Sequence, residues 1–133
     1  MEILRSRKEQ ELVLAIAQYL QLRHKDLIYR FDLIADFPMK PYQAKRVKQI
    51  HNRRGYPDLF IAKPSGSYAG LFLELKAEGV SVLKKDGTLR KDDHLMEQFN
   101  FMKSLIKNGY KANFAIGFDD AIKQIESYLN GDK

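Results

Sequence analysis

The stretch GYPDLFIAKPSGSYAGLFLELKAEG, residues 55–79, places charged side chains inside two apolar, strand-like runs. The first run begins with Asp58, and the second contains Glu74 and Lys76. Strands that build a core seldom carry ions on their buried faces, because burying an unpaired charge is costly in free energy. The three charges therefore indicate that these strands form a site as well as a core.

The spacing of the charges predicts that they converge on one face. Side chains alternate along a strand, so Phe72, Glu74 and Lys76 share a face. If the hairpin is symmetric about Gly66, Asp58 lies directly opposite Glu74, with Cβ atoms about 5 Å apart. Two carboxylates so close repel each other unless a positive charge lies between them. That charge is either Lys76 alone, in a structural ion-pair cluster, or a hard divalent cation such as Mg²⁺, which prefers carboxylate oxygens.

The composition predicts one domain that folds without cross-links. The chain has 133 residues and no cysteine, and a chain of this length can bury about two-thirds of its unfolded surface. The N-terminal sequence MEILRSRKEQ lacks the apolar core of a signal peptide. No apolar run approaches the roughly 18 residues of a membrane span. We therefore expect a single domain over residues 1–133, soluble in the cytoplasm and without membrane association.

The charge distribution favours a nucleic-acid partner. The net charge is +6, and residues 38–57 contain six lysines and arginines and no acid. Such a segment is either a solvated face or a surface that contacts phosphates. A second basic stretch, residues 81–91, contains the turn signal Asp86-Gly87 and is expected to be an exposed loop or small hairpin. The expected phosphate contacts are Lys45, Lys48, Arg53, Arg54, Lys84, Lys85 and Arg90.

Apolar periodicity predicts helix, strand, basic segment, strand, strand, helix, strand and helix along the chain. The first helix begins near Arg7, where Ser6 and Glu9 form a capping box. Residues 26–31 are a predicted strand, and residues 42–51 a short helix. The apolar face of the first helix comprises Leu12, Ala15, Ile16, Tyr19 and Leu20.

The C-terminal half is predicted to contain a parallel βαβ unit. A helix capped by Asp92 or Asp93 ends at Gly109. A strand over residues 110–118 follows, with its even-numbered residues on one face, and a last helix runs from residue 119 to 129. The result is an α/β fold with a mixed sheet flanked by helices. The predicted buried stripe of the longer helix comprises Leu95, Phe99, Met102 and Ile106.

Two motifs give the sequence a family resemblance. Pro57-Asp58 followed by Glu74-Leu75-Lys76 resembles the PD-(D/E)XK nuclease signature. With the segments GYPDLFIA, GLFLELKAEG, HLMEQFNFMKSLIKNGY and FAIGFDDAIKQIESYL, the chain from residue 55 onward is similar to the VRR-Nuc family of virus-type replication and repair nucleases. The resemblance implies a restriction-endonuclease-like core and a nuclease that uses Mg²⁺ or Mn²⁺.

The resemblance also implies residue roles. Asp58, Glu74 and the carbonyl of Leu75 would be metal ligands, Lys76 the catalytic lysine, and Gln98 a further active-site residue. Alternatively, a glutamine beside a buried stripe often has only a structural role, in which it forms hydrogen bonds with backbone groups.

The family takes one more ligand from the first helix. Helical geometry favours Glu9 over Glu11 for that role, although the capping box competes for the carboxylate of Glu9. His94, at the start of the helix that carries Gln98, is expected to be a capping or surface residue.

The predicted function is therefore a metal-dependent DNA endonuclease acting on branched DNA such as Holliday junctions. The alternatives are a sequence-specific, restriction-type nuclease and a non-catalytic DNA-binding module. Small members of the family occur in phages and bacteria. A four-way junction has two scissile strands related by approximate two-fold symmetry, so we expect a homodimer. Five large apolar residues before and within the basic segment would pack either in a subunit contact or in the protein's own core: Tyr29, Phe31, Phe37, Met39 and Tyr42.

Overall fold

The computed structural model describes residues 5–33, 36–51 and 53–132, and within them the predicted order of elements is confirmed. The predicted first strand is shorter than expected, because residues 25 and 26 form the turn that ends the first helix. No helix in the described ranges has the length and apolar character needed to cross a bilayer. The elements are α1 Arg7–Arg23, β1 Tyr29–Phe31, α2 Pro41–Ile50, β2 Leu59–Ile61, β3 Leu71–Lys76, α3 Asp93–Lys107, β4 Lys111–Ile116 and α4 Phe118–Leu129.

The strands form one mixed sheet in the order β1-β2-β3-β4. The β1–β2 and β2–β3 pairs are antiparallel, whereas β3 and β4, which α3 connects, are parallel. The predicted α/β class and βαβ unit are therefore confirmed.

The register of the central hairpin is the one predicted from symmetry about Gly66. Leu59 pairs with Leu73, and Phe60 pairs with Phe72. Extended by one residue, this register sets Asp58 opposite Glu74. The hairpin thus directs both carboxylates to the same side of the sheet.

One face of the sheet carries the apolar core. Leu59, Leu73 and Leu75 are at most 1% exposed and pack in one cluster with α1 and α4. The helices contribute Leu12, Val13, Ile16, Leu20, Ala121, Ile125 and Tyr128 to that cluster. Burial of this much apolar surface is the main favourable term in folding.

The opposite face of the sheet faces α3, and aromatic rings connect the two. Tyr56 makes edge contacts with Phe72 of β3 and Phe101 of α3, at centroid distances of 5.7 and 5.4 Å. The predicted stripe of α3 was correct for Leu95 and Met102 and wrong for two other residues. Phe99 and Ile106 are 38% and 53% exposed.

The reason for this error is a polar residue at the centre of the buried face. The third buried residue of α3 is Gln98, one helical turn from both Leu95 and Met102. A pattern search for apolar residues passes over it. The buried face of α3 is therefore rotated from the predicted stripe toward Gln98.

The prediction for β4 also needs a correction. Tyr110 and Phe118 lie outside the strand, whose buried residue is Ala115. Ala115 pairs with Leu75 and so belongs to the core face. The even-numbered residues form the other, half-buried face because β4 is an edge strand with helices on both sides.

Candidate active site

The four side chains predicted to be catalytic are buried together with the core. Asp58, Glu74 and Lys76 are 7%, 5% and 9% exposed, and Gln98 is 4% exposed. Within the described ranges, these four make up the set of buried polar and charged residues. Polar groups are seldom buried to this extent unless they are paired or functional. Their burial makes these four residues the candidates for a site.

The two carboxylates are close enough to influence each other. Burial raises the pKa of Glu74 well above its usual range, and the neighbouring carboxylate of Asp58 raises it further. The positive charges of Lys76 and Arg5 oppose this rise in pKa only in part. Asp58 is fixed in place because its Oδ2 accepts the N–H of Leu75 at 2.8 Å. Two carboxyls in this arrangement require either a shared proton or a cation between them.

This donor set fits a small, hard cation. Mg²⁺ is commonly held by one or two carboxylates and retains several waters. Across the described ranges, no group of three or more histidine, cysteine, aspartate or glutamate side chains is arranged to hold a metal ion. Asp58 and Glu74 are the carboxylates that would hold such an ion, and the carbonyl of Leu75 stays an expected ligand.

Arg5 is a site residue that the sequence did not reveal. Its Nη2 contacts Asp58 Oδ1 at 2.5 Å and donates to the carbonyl of Asp32 at 3.1 Å. Its Nε lies 3.1 Å from Asp36 Oδ1, and the Arg5 side chain is 6% exposed. Nη1 is buried and finds no hydrogen-bond partner among the described residues. Arg5 precedes the first helix in a charged stretch, so no periodicity or motif distinguishes it.

The surroundings of Arg5 are themselves strained electrostatically. Burial raises the pKa of Asp36, and the charge of Arg5 works against that rise. Asp58 and Asp32 raise the pKa of Asp36 further. One guanidinium therefore balances several acids at the edge of the site.

The two glutamates of α1 have different environments. Ser6 Oγ accepts the N–H of Glu9 at 3.2 Å, so the predicted N-cap is present. Glu9 is half-buried, whereas Glu11 is exposed and pairs with Arg7 at 3.4 Å. The contribution of Glu9 to a metal site stays a prediction.

Gln98 is held against the segment that leads into Asp58. Its Nε2 lies 3.1 Å from Nε2 of the exposed His94, and its Oε1 is buried with no partner in the described part of the chain. The backbone at Glu97 and Gln98 packs directly on Gly55, since a Cβ on that glycine would lie 2.6 Å from the Glu97 carbonyl oxygen. The Oε1 of Gln98 is therefore a buried acceptor without a hydrogen bond in the described part of the chain.

The seven basic residues expected to contact phosphates are all exposed. Arg53 stacks on the ring of Phe101, with 4.6 Å from its Cζ to the centroid, and donates to Ser104 Oγ at 3.1 Å. Arg90 donates to the carbonyl of Ser81 at 2.7 Å within the predicted hairpin, whose strands meet at Leu83 and Leu89. Their exposure leaves them accessible to a polyanion, and phosphate contact stays a prediction.

Comparison with known proteins identifies a structural relative. No family model matches the sequence, and no curated protein does. Among solved structures, the chain is similar to one described as a VRR_NUC domain protein, with 26% sequence identity and a TM-score of 0.65. The similarity covers 98% of this chain and 94% of that chain. The resemblance to the VRR-Nuc family that the sequence motifs carry is thereby confirmed, and the chain has the fold of that family.

Proposed function

We propose that this protein is a metal-dependent DNA endonuclease that hydrolyses phosphodiester bonds. The observation that carries the proposal is the burial of Asp58, Glu74 and Lys76 on one face of the sheet, together with the burial of Gln98 on α3. The similarity to a VRR_NUC domain protein supports the same conclusion. The alternative is a purely structural cluster, in which Lys76 and Arg5 balance the two carboxyls without a metal ion; it predicts that Mg²⁺ has no effect on the stability of the protein.

In the proposed mechanism, Asp58, Glu74 and the Leu75 carbonyl hold Mg²⁺ or Mn²⁺, and a glutamate of α1 is the expected further ligand. When bound, the ion would supply positive charge for the phosphate and lower the pKa of a water molecule.

Lys76 acts on the reacting phosphate or on the attacking water. Its ammonium lies on the same strand face as Glu74 and is nearly excluded from solvent. In such an environment a positive charge stabilises the negative charge that develops on the phosphate more strongly than it would in water. One P–O bond forms to water, one P–O bond to the leaving strand breaks, and the water proton passes to solvent or to the leaving oxygen.

The proposed substrate is branched DNA, and the proposed setting is the cytoplasm of a bacterial or phage-infected cell, in DNA repair. A junction presents two strands for cutting, and one chain supplies one carboxylate pair, so symmetric cutting requires two subunits. Tyr29 and Phe31 pack partly against the core, whereas Tyr42 is 67% exposed and available to a subunit contact. In light scattering, a homodimer would have a mass near 31 kDa, twice the 15.5 kDa of the chain.

The test of the function is cleavage of a plasmid, a linear duplex and a four-way junction in Mg²⁺, in Mn²⁺ and in EDTA. We expect cutting only with a divalent ion and fastest on the junction. Cutting of linear duplex at one sequence would favour a restriction-type enzyme. Band shifts without any cutting would favour a DNA-binding module and contradict the proposal.

Substitutions at the site separate catalysis from folding. We expect Asp58→Ala, Glu74→Ala and Lys76→Ala each to abolish cutting and leave the circular dichroism spectrum unchanged, while Gln98→Ala is milder. The matched control is Glu78→Gln, because Glu78 follows the same strand but is exposed. Full activity in any of the three variants would exclude the proposed site.

A further inference from the structure

An aromatic cleft lies beside the proposed catalytic residues and has no role in the mechanism above. Its volume is about 790 Å³. Five aromatic rings line it, from β1, β2, α3 and the segments around α2. They are Phe31, Phe37, Tyr56, Phe60 and Phe101.

The sheet register places this cleft next to the carboxylate pair. Arg30, Phe60 and Phe72 are paired across β1, β2 and β3. The next row on the same face holds Asp58 and Glu74, two residues along the strands. Two residues of a strand span about 7 Å. A ligand in the cleft is therefore about one nucleotide away from a phosphate held at the carboxylates.

Packing alone does not account for the cleft. Phe37 is 61% exposed and Tyr56 is 47% exposed, although large rings normally bury most of their surface. The neighbouring helix α2 has no buried residue. The α1 and α4 layer covers the other side of the sheet and leaves this side to α3. Phe37 and Tyr56 thus leave ring surface open at the edge of a packed aromatic cluster, in which Tyr56 also contacts Phe72 and Phe101.

The charges at the cleft favour a polyanion. Arg30, His51 and Arg53 line it together with the rings. Arg53 holds its guanidinium over Phe101, which extends the stacking surface with a planar cation. The acid in the lining, Asp32, lies at the catalytic end, where its N–H donates to the carbonyl of Asp58 at 2.8 Å.

We propose that this cleft binds an unpaired nucleobase of the DNA strand that is cut. Aromatic rings with interspersed arginines are the means by which proteins hold single-stranded bases, because every base offers a face for stacking. A base inside a duplex must first be unstacked and unpaired, which costs a few kcal/mol, so the cleft favours a base that is already unpaired. The inference rests on the proposed nuclease function for its substrate and narrows that substrate to DNA with unpaired bases beside the cut.

The test measures binding in EDTA, so that it does not depend on cleavage. The probe is a duplex with a short single-stranded flap in which 2-aminopurine is the first unpaired base, and the reference is the same duplex fully paired. The variant is Phe37→Ala, since Phe37 is largely exposed and its loss should leave the fold intact. The matched control is Phe99→Ala, because Phe99 is a partly exposed ring of α3 outside the cleft.

We expect Phe37→Ala to raise the Kd for the flapped duplex about tenfold or more, as loss of one stacked base does. Stacking of the probe base quenches the fluorescence of 2-aminopurine, so this quenching should be absent in Phe37→Ala. Binding to the paired duplex should not change, Phe99→Ala should behave as the unaltered protein, and Phe37→Tyr should restore both signals because it keeps the ring.

Three results would overturn the proposal. Equal Kd values for Phe37→Ala and Phe99→Ala would exclude a role for the cleft in DNA binding. Equal weakening of flapped and paired DNA would exclude an unpaired base. A fall in solution mass from 31 to 15.5 kDa in Phe37→Ala would make the cleft a subunit contact. A protein that binds the flap through the cleft and never cuts would refute the proposed nuclease, while the binding of an unpaired base in the cleft would stand.

Discussion

Asp58 has polar partners at both of its carboxylate oxygens, one toward the backbone and one toward Arg5. Oδ2 accepts the N–H of Leu75, which fixes the side chain against β3. Oδ1 contacts the guanidinium of Arg5, which also contacts Asp36. Arg5 thus places positive charge beside the carboxylate pair. A divalent ion at the pair would compete with it for the same oxygens.

This competition predicts a metal-dependent effect of Arg5→Ala. In EDTA, the variant should lose about 3–5 kcal/mol of unfolding free energy, because removing one partner leaves buried acids uncompensated. Saturating Mg²⁺ should recover more stability in the variant than in the unaltered protein, since the ion replaces the missing charge. Urea denaturation with and without Mg²⁺ measures both.

The control for this prediction is Arg7→Ala. Arg7 pairs with Glu11, but its side chain is 93% exposed. Exposed pairs of this kind often contribute nothing measurable. If the two variants lose the same stability, or if Mg²⁺ stabilises both equally, Arg5 does not balance the site.

The sequence contained enough to locate Asp58, Glu74 and Lys76 but not Arg5. The three strand residues are exceptions to an apolar alternation, so local spacing and hairpin symmetry suffice to bring them together. Arg5 reaches Asp58 from 53 positions away in the chain, through a contact that depends on how α1 docks on the sheet. No local pattern carries that information.

Among the elements, the segment between α2 and β2 sets the distance from α3 to the carboxylates. Gly55 has φ +91°, and a Cβ there would lie 2.6 Å from the carbonyl oxygen of Glu97. Both the backbone angle and the contact require glycine. The close approach of the α3 backbone to the segment before Asp58 therefore depends on this one residue.

We expect Gly55→Ala to be among the more destabilising single substitutions. A non-glycine residue in left-handed conformation costs about 1–2 kcal/mol, and overpacking against backbone adds about 1–3 kcal/mol. Gly87→Ala separates the two contributions. Gly87 has φ +86°, and no heavy atom lies within 4 Å of an added Cβ, so this variant carries only the cost of the backbone angle. Urea denaturation of both variants gives the difference. Equal losses of unfolding free energy in the two variants would show that α3 shifts away from the added methyl group at no cost.

The contact between α1 and α4 predicts a pH dependence. Glu126 of α4 accepts from Tyr19 at 2.8 Å and contacts His24. The hydrogen bond from His24, followed by that from Tyr19, lowers the pKa of Glu126. A carboxyl whose pKa is lower in the folded state stabilises the protein above its unfolded pKa, and this stabilisation is lost as the pH falls through the folded value.

Stability should therefore decline below the ordinary glutamate pKa of 4.5 by a component that depends on Glu126. We expect Glu126→Gln to lack that component, so that the two unfolding free energies converge as the pH falls. Unfolding curves from roughly pH 3 to 6 test this. The exposed Glu78→Gln serves as control and should follow the unaltered protein; parallel curves for all three would refute the role of Glu126.

Element order, strand pairing and the capping of α1 and α3 were predictable because each depends on local sequence. Ser6 and Asp92 accept backbone N–H groups in the first turns of α1 and α3. The errors arose where function or tertiary position competes with periodicity. Gln98 replaces an apolar residue at the centre of the α3 stripe, and β4 is shorter at both ends than the predicted strand over residues 110–118.

On the scale of the whole molecule, the two sides of the sheet differ in the residues that they carry. One side is sealed by α1 and α4 and supplies the apolar core. The other holds the carboxylate pair under α3 and the open aromatic cleft. The basic residues expected to contact phosphates belong to α2 with the segment after it, from which Arg53 lines the cleft, and to the hairpin that follows β3. The charge asymmetry would orient DNA toward the carboxylates.

This asymmetry predicts the salt dependence of DNA binding. Each phosphate contact releases counterions, so neutralising one contacting lysine should lower the slope of log K against log salt by about one. We expect this for Lys48→Gln on α2 and for Lys85→Gln in the hairpin. Lys123→Gln is the matched control, because Lys123 is equally exposed but lies on α4, on the other side of the sheet. All three variants lower the net charge from +6 to +5, so the net charge cannot explain a difference between them. Equal slopes in all three, measured by fluorescence anisotropy in EDTA, would mean that the basic segments are only a solvated surface.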